Sequence, residues 1–270
     1  MSYFTGGFFM KKYVKVLAVI FAFALVACVF AACGEKADGD NVIVFGTNAE
    51  FPPFESVASD GVIKSADGTQ SFDGIDMVIA NKIAEKMGKT AVVNNIEFDS
   101  LLVALQNGQI DACIAGMTIT EERKESVDFS IPYYTATQVM IVKEGSDIKS
   151  AKDMAGKKIA VVQGYTGETV VKDLGYEYEA FKKGTECVME LVNGKCDVVV
   201  IDSATAENYV ADNQGLTIVE DSSAFEAEEY GIAVAKGNTE LLNQINEAIG
   251  DMLDDGTISA TVVKYVDEAE

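Results

Sequence analysis

The 270-residue sequence contains no histidine and no tryptophan, and Arg123 is its only arginine. Without histidine, the chain cannot form Ser-His-Asp or Cys-His nucleophile pairs, and it lacks a usual zinc ligand. This disfavours an enzyme, although carboxylate, lysine and tyrosine chemistry stays open. No cofactor and no metal ion is expected.

Basic side chains are also scarce, with 21 against 43 acidic ones and a formal net charge of −22. The first 33 residues hold three lysines and no acid, so the rest of the chain is more acidic still. Such a body repels nucleic acid and anionic lipid headgroups, and no nucleic-acid partner is expected. The ordinary role of this charge is solubility.

The N-terminus has the pattern of a signal peptide. Two lysines follow Met10, the natural-looking start, and residues 16–32 form an unbroken apolar run before small residues and a polar tail. A charged, an apolar and a small-residue region in this order are typical of secretion. We predict a signal peptide over residues 1–33 and a linker over 34–41. An uncleaved membrane anchor is the alternative, although 17 residues are short for a spanning helix.

The segment FAACG resembles the lipobox of bacterial lipoproteins, in which a cysteine is lipidated and becomes the new N-terminus. We prefer Cys33, because a glycine and a polar linker follow it; Cys28, in LVAC, is the alternative. Export and attachment by lipid to the outer face of the cell membrane are therefore expected.

Three cysteines remain in the exported part: Cys113, Cys187 and Cys196. An odd number leaves at least one free thiol. We predict that all three are buried as small apolar side chains.

Strand-like and helix-like segments alternate along the body. VIVFGTN, TAVVNNIE and IDACIAGM have the character of strands, and the helical patterns FDGIDMVIANKIAEKMGK and FDSLLVALQNGQ lie between them. Alternation of this kind predicts a parallel sheet covered by helices. A second alternating series follows, and two helices close the chain, so we predict two α/β lobes.

Five segments, taken in order, resemble the bacterial extracellular solute-binding proteins of family 3, the amino-acid-binding subset of ABC-transporter receptors. They are GTNAEFPPFES, FDGIDMVIANKIAEKMG, FDSLLVALQNGQIDACIAGMTITEERKESVDFSIPYY, VVQGYTGET and EEYGIAVAKGN. Each is weak alone, whereas five at the right separations are specific. Together they cover about residues 42–266.

The resemblance implies the two-lobed, type II periplasmic-binding-protein-like fold, an α/β fold whose lobes are mostly parallel sheets flanked by helices. Lobe 1 would comprise residues 42–134 and 229–270, and lobe 2 residues 137–226. Two hinge strands would cross near residues 133–137 and 226–230. Closure of such lobes around a ligand is a known hinge motion.

The first lobe supplies a candidate carboxylate site after the strand in IDACIAG. Ligands bind beyond the carboxyl ends of parallel strands, where the sequence continues with Gly116, Met117 and Thr118. Arg123 follows on a helix that Thr120 should cap. Its planar guanidinium can donate two parallel hydrogen bonds to a carboxylate. The resemblance assigns it, with the threonine and the glycine backbone, to an amino acid's α-carboxylate. A surface ion pair is the plain alternative.

The second lobe supplies Thr166, which we expect to cap a helix whose N-terminus can hold an anion. The resemblance implies that this helix N-terminus binds the same α-carboxylate of the ligand when the lobes close. Asp202 ends a buried strand, and the family uses an aspartate there for the α-ammonium. An ordinary N-cap role is the alternative at both positions.

The resemblance also implies aromatic walls, Phe51 and Phe98, around the ligand's side chain; plain core packing is the alternative. Asn48 stands where many relatives carry aspartate, and Gln163 where some carry lysine. Glu50 is a further acid near the cleft. Because Asn48 and Gln163 depart from the family's usual residues, the ligand side chain that the site selects stays open.

The expected function is an extracytoplasmic receptor that delivers a polar L-amino acid to ABC permease subunits, as a monomer. Arginine or lysine is favoured, with glutamine, histidine or cystine as alternatives. A same-fold enzyme such as a dehydratase is a less favoured hypothesis.

Overall fold

A computed structural model of the chain describes residues 41–266. The predicted signal peptide, both candidate lipidation cysteines and nearly all of the linker lie outside the described residues. Within residues 41–266, no helix combines the length and the apolar character needed to cross a membrane.

The first lobe is built on a nine-stranded mixed sheet. Its strands are β1 (Val42–Thr47), β2 (Glu50–Phe51), β3 (Glu55–Ala58), β4 (Ile63–Ser65), β5 (Ser71–Asp73), β6 (Thr90–Asn95), β7 (Ala112–Cys113), β8 (Val127–Phe129) and β15 (Ala233–Ala235). Their order is β2-β3-β5-β4-β6-β1-β7-β15-β8. The expected parallel pairing runs from β4 through β6 and β1 to β7, and antiparallel strands extend it on both sides.

The second lobe has a six-stranded mixed sheet. Its strands are β9 (Tyr134–Lys143), β10 (Ile159–Val162), β11 (Tyr178–Phe181), β12 (Val198–Asp202), β13 (Leu216–Val219) and β14 (Ala227–Tyr230). The order is β11-β10-β12-β9-β13, with β14 on β9. Parallel pairing is again central, joining β11, β10 and β12.

The strand β9 belongs to both parts of the molecule. Residues 134–137 pair with β14, whereas residues 138–143 pair with β12 and β13. This antiparallel pair coincides with the crossing segments that the sequence predicted, and it places β14 beside the cleft.

Eight α-helices occur within the described residues, besides two short 3-10 helices. They are α1 (Ile75–Lys86), α2 (Leu101–Gln106), α3 (Glu121–Ser126), α4 (Thr166–Asp173), α5 (Gly184–Val192), α6 (Ser203–Asp212), α7 (Thr239–Asp254) and α8 (Thr257–Val266). The apolar residues of α1 at helical spacing, Ile75, Ile79 and Ile83, are fully buried. The chain end returns to this lobe, since Tyr265 donates a 2.5 Å hydrogen bond to Asp73.

The sequence patterns did not predict the small strands β2 to β5, nor β8, β11 and β13. These strands are two to four residues long, too short to show a periodicity of their own. The segment IDACIAGM forms only a two-residue strand, because the chain turns away at Gly116, whose φ is +51°.

The three cysteines of the described chain are buried and their thiols are free, as predicted. Cys113 lies on β7 of the first lobe and Cys187 on the helix Gly184–Val192 of the second, and both pack with Cys196 in one apolar core. Burial raises the pKa of Cys196 to about 11, so its thiol is protonated at neutral pH.

Candidate functional site

A cavity of about 10 Å³ lies between the lobes. Its lining residues are Phe51, Phe98, Ala115, Gly116, Thr118, Arg123, Tyr165, Thr166 and Asp202. Seven of these nine were predicted from the sequence. The cavity holds about one water molecule, so a molecule of the size of an amino acid fits only when the lobes move apart.

Arg123 uses two of its N–H groups on backbone carbonyls. Nη1 donates to Thr118 over 2.7 Å, and Nη2 donates to Gly164 of the other lobe over 2.9 Å. The guanidinium also lies 5.3 Å from the ring centroid of Phe98. A guanidinium has five N–H donors, so three remain after these bonds. Burial lowers the pKa of Arg123, and the carboxylates of Asp202 and Glu228 oppose that shift.

The helix α3 positions Arg123. Its predicted N-cap is confirmed, because the Thr120 hydroxyl accepts a hydrogen bond from the Arg123 backbone N–H over 3.2 Å. Glu121 is exposed and bonds Lys124 at 2.8 Å. The acids of the first turn therefore serve the helix start, and Arg123 is left to the cleft.

Gly116 brings backbone close to an aromatic ring. A Cβ on this residue would lie 2.4 Å from Cε1 of Phe51, and its positive φ favours glycine independently of space. Its N–H donates to the buried carboxylate of Asp76 over 2.7 Å. This hydrogen bond holds the Gly116 backbone, which forms part of the cavity wall, in place.

Thr118 and Thr166 face each other across the cleft, with their hydroxyl oxygens 3.3 Å apart. Both hydroxyls donate to Oε2 of Glu228, over 3.0 Å from Thr118 and 2.7 Å from Thr166. The prediction that Thr166 caps its helix is wrong: Thr166 is the first residue of α4, Tyr165 is the N-cap residue, and it makes no side-chain cap bond. The Thr166 hydroxyl is turned to Glu228 instead.

Asp202 is buried at the end of β12. Its Oδ1 accepts a 2.6 Å hydrogen bond from the Tyr230 hydroxyl. Asp202 occupies the N-cap position of α6 but makes no side-chain cap bond, so the cap alternative accounts for its position only. Burial, with a smaller contribution from Glu228, raises the pKa of Asp202 to about 7. A cation beside it would favour the ionised form.

Three aromatic rings meet at the cavity. The ring of Tyr165 lies edge-on to both predicted walls, at 5.3 Å from Phe51 and 4.5 Å from Phe98. In this arrangement of the lobes, Tyr165 fills the space between the walls.

Four predicted residues do not line the cavity. Asn48 accepts a 3.2 Å hydrogen bond from the Tyr165 hydroxyl, and Glu50 forms a 2.6 Å ion pair with Lys183. Met117 is buried behind the site, and Gln163 is exposed. Asn48 and Glu50 still join the two lobes, next to the cleft.

The family described as bacterial extracellular solute-binding proteins, family 3, matches residues 43–268. The chain belongs to this family. Its relatives include the arginine-binding extracellular protein ArtP of Bacillus subtilis (strain 168), 33% identical over 264 residues, which cover 95% of this chain and 98% of ArtP.

A probable histidine-binding protein of Neisseria gonorrhoeae is 35% identical to this solute-binding protein over 266 residues, covering 95% of it and 96% of the relative. Among solved structures, the arginine-, lysine-, histidine-binding protein ArtJ of Geobacillus stearothermophilus matches with a TM-score of 0.76 at 35% identity. That match covers 83% of this chain and 95% of ArtJ.

Besides Ala115, sequence reasoning missed three residues with polar side chains at the site of the solute-binding protein: Tyr165, Gln138 and Glu228. Tyr165 precedes Thr166 in GYTGET, so a tyrosine in a predicted ligand loop was the available signal. Glu228 lies two residues before Tyr230 in the predicted hinge strand, on the same face of that strand. No pattern in the sequence pointed to Gln138, which reaches the site only because β9 pairs with β12.

An open groove of about 790 Å³ adjoins the cavity on one side. Arg123 and Thr166 line both the groove and the cavity. The groove's other lining residues include Gly164, Glu122, Glu168 and Lys172. The groove connects Arg123 to solvent along the boundary between the lobes.

Behind the cavity, the solute-binding protein buries two carboxyl groups, Glu55 and Asp76, with no exposed surface on either. Asp76 accepts hydrogen bonds from the Gly116 N–H and, over 2.9 Å, from the Tyr133 hydroxyl. Burial raises the pKa of Asp76 to about 7 and that of Glu55 well above its usual range, where the Asp76 charge adds to the effect. Burial of the two groups thus favours their protonated forms.

Proposed function

We propose that this protein is the extracytoplasmic receptor of an ABC importer and binds a polar L-amino acid between its lobes. Arg123, Thr118 and Thr166 would hold the α-carboxylate, and Asp202 would hold the α-ammonium. Family membership supports the transport role, and the site chemistry supports an amino acid as the solute.

One observation carries the proposal: Arg123 and the buried Asp202 line the same small cavity between two lobes. A free amino acid carries both opposite charges on one carbon, and the site offers a partner for each. Charged hydrogen bonds contribute roughly 1.5–3 kcal/mol each. A few of them, with water excluded on closure, reach the roughly −8 kcal/mol of micromolar binding.

A cationic amino acid, arginine or lysine, is the ligand that we favour. ArtP is named for arginine, and ArtJ for arginine, lysine and histidine. Histidine, glutamine and cystine are the alternatives.

The remaining parts of the proposal concern the cell. We propose lipidation at Cys33, attachment to the outer face of the membrane, docking to permease subunits and a monomeric receptor. The ligand leaves chemically unchanged, as befits a transport receptor and not an enzyme.

A thermal-shift screen of the twenty amino acids, cystine and ornithine tests the function. A ligand that binds only the folded form must raise the melting temperature. We expect the largest shift with L-arginine or L-lysine, and no shift with their decarboxylated amines. The absence of a shift with every amino acid would refute the proposal. Recovery of a chemically altered amino acid would instead favour a same-fold enzyme.

A further inference from the structure

The carboxylate of Glu228 lies where the two lobes and the hinge meet. Glu228 is half-buried on β14, and its backbone pairs with Ala136 of β9. Its Oε2 accepts hydrogen bonds from Thr166 at 2.7 Å, from Thr118 at 3.0 Å and from the Gln138 amide at 3.3 Å. One oxygen therefore collects donors from the first lobe, the second lobe and the crossing strand.

Each threonine hydroxyl has a single proton to donate. In this arrangement both protons point at Glu228, and neither is left for another carboxylate. Thr118 and Thr166 are the hydroxyls that the proposed function assigns to the α-carboxylate. Two carboxylates at one pair of donors would also repel each other.

We propose that Glu228 is an internal counterpart of the ligand's carboxylate, which bridges Thr118 and Thr166 and is displaced when an amino acid binds. The inference rests on the proposed function. Once the lobes have moved apart, Glu228 can be displaced without a change in its own strand, because the half-buried side chain can turn towards solvent while β14 stays paired with β9.

Two consequences follow for binding. Before the ligand arrives, the Glu228 bridge holds the lobes together, as a ligand would. Because these hydrogen bonds of Glu228 are broken when the ligand binds, their free energy makes the binding free energy less favourable and so weakens the affinity. Glu228 therefore sets the affinity for every ligand that carries an α-carboxylate, independently of its side chain.

The test compares Glu228→Gln and Glu228→Ala with the wild type, using calorimetric titration with L-arginine and L-glutamine. Neutral acceptors form hydrogen bonds about half as strong as charged ones. We therefore expect Glu228→Ala to bind the amino acids most tightly, Glu228→Gln less tightly and the wild type least tightly. We expect about tenfold tighter binding for Glu228→Ala, equal for both amino acids, a factor that corresponds to about 1.4 kcal/mol.

Glu229→Gln is the matched control, since Glu229 is the exposed neighbour on the same strand and the change in net charge is identical. It should leave both affinities unchanged. Unchanged or weaker binding by the two Glu228 variants overturns the inference. So does tightening for one amino acid only, because that would place Glu228 at the ligand's side chain.

Small-angle X-ray scattering without added ligand gives a second readout that does not depend on the proposed function. Glu228→Ala should increase the radius of gyration relative to the wild type and to Glu229→Gln, as the lobes separate. An unchanged radius overturns the bridge. If the wild type binds neither amino acid, the proposed function fails for these probes, and scattering alone decides whether Glu228 bridges the lobes.

Discussion

The Nη2 atom of Arg123 donates a hydrogen bond to the carbonyl oxygen of Gly164 over 2.9 Å, and this bond joins the two lobes. The same guanidinium also donates to Thr118. The guanidinium thus bonds both lobes, and its other three N–H groups stay available for a ligand. This double task explains why the chain places its single arginine here.

Arg123→Lys should lose most of the affinity, by more than about tenfold, because one ammonium cannot replace a fork that reaches two partners and a ligand. Calorimetric titration with L-arginine measures the loss. Lys124→Arg, on the exposed neighbour, is the control and should bind like the wild type. Near-wild-type binding by Arg123→Lys would contradict the role of Arg123.

Gly116→Ala should destabilise the protein by roughly 1–3 kcal/mol and abolish tight binding, because its Cβ would meet the Phe51 ring at 2.4 Å. Urea unfolding and titration measure the two effects. Gly108→Ala is the control, since Gly108 also has a positive φ, +67°, but nothing lies within 4 Å of its Cβ. Equal destabilisation by both variants would show that backbone strain alone is responsible.

The ion pair between Glu50 and Lys183 should contribute little and in a salt-dependent way. It joins the lobes at 2.6 Å, but 40% of the Lys183 side chain is exposed. Exposed pairs contribute roughly 0.2–1 kcal/mol and are screened by salt. We expect Lys183→Met to weaken ligand binding by less than about fivefold at low salt, with no effect at high salt.

Lys195→Met is the control for that variant, since Lys195 pairs with Glu190 at 2.8 Å within the second lobe. It should leave the affinity unchanged at either salt concentration. A loss for Lys183→Met that persists at high salt would mean that Lys183 contacts the ligand directly.

The stability of the protein should fall as the pH rises from 5 to 8. The pKa values of Glu55 and Asp76 are raised in the folded protein, that of Asp76 to about 7. Their unfolded values are about 4. Their contribution to stability is complete below about pH 4 and is lost as the pH rises through the folded values, by up to about 1.4 kcal/mol per pH unit for each proton.

Urea unfolding at several pH values checks this slope. The window is well defined, because the chain has no histidine to titrate within it. Glu55→Gln, which cannot ionise, should flatten the dependence; Asp202, with a pKa raised to about 7, leaves a residual slope. Stability that rises between pH 5 and 8 would contradict the buried acid pair.

The sequence predicted the long elements and much of the site. Helices such as α1 have enough turns to show their apolar periodicity, and the short strands β2 to β5 do not. Thr118, Arg123 and Thr166 were predicted because each lies in a local motif. Gln138 and Glu228 lie in strands, and no local pattern shows which partner a side chain on a strand reaches.

The sequence alone determined the α/β character, the absence of histidine chemistry, the export signal that we predict and a single arginine after a predicted strand end. These properties depend on composition and on neighbours along the chain. Only the tertiary structure decided that Tyr165 fills the cleft and that Glu228 takes both threonine hydroxyls. Those contacts join residues 48 to 117 positions apart, and their distances depend on how the two lobes close.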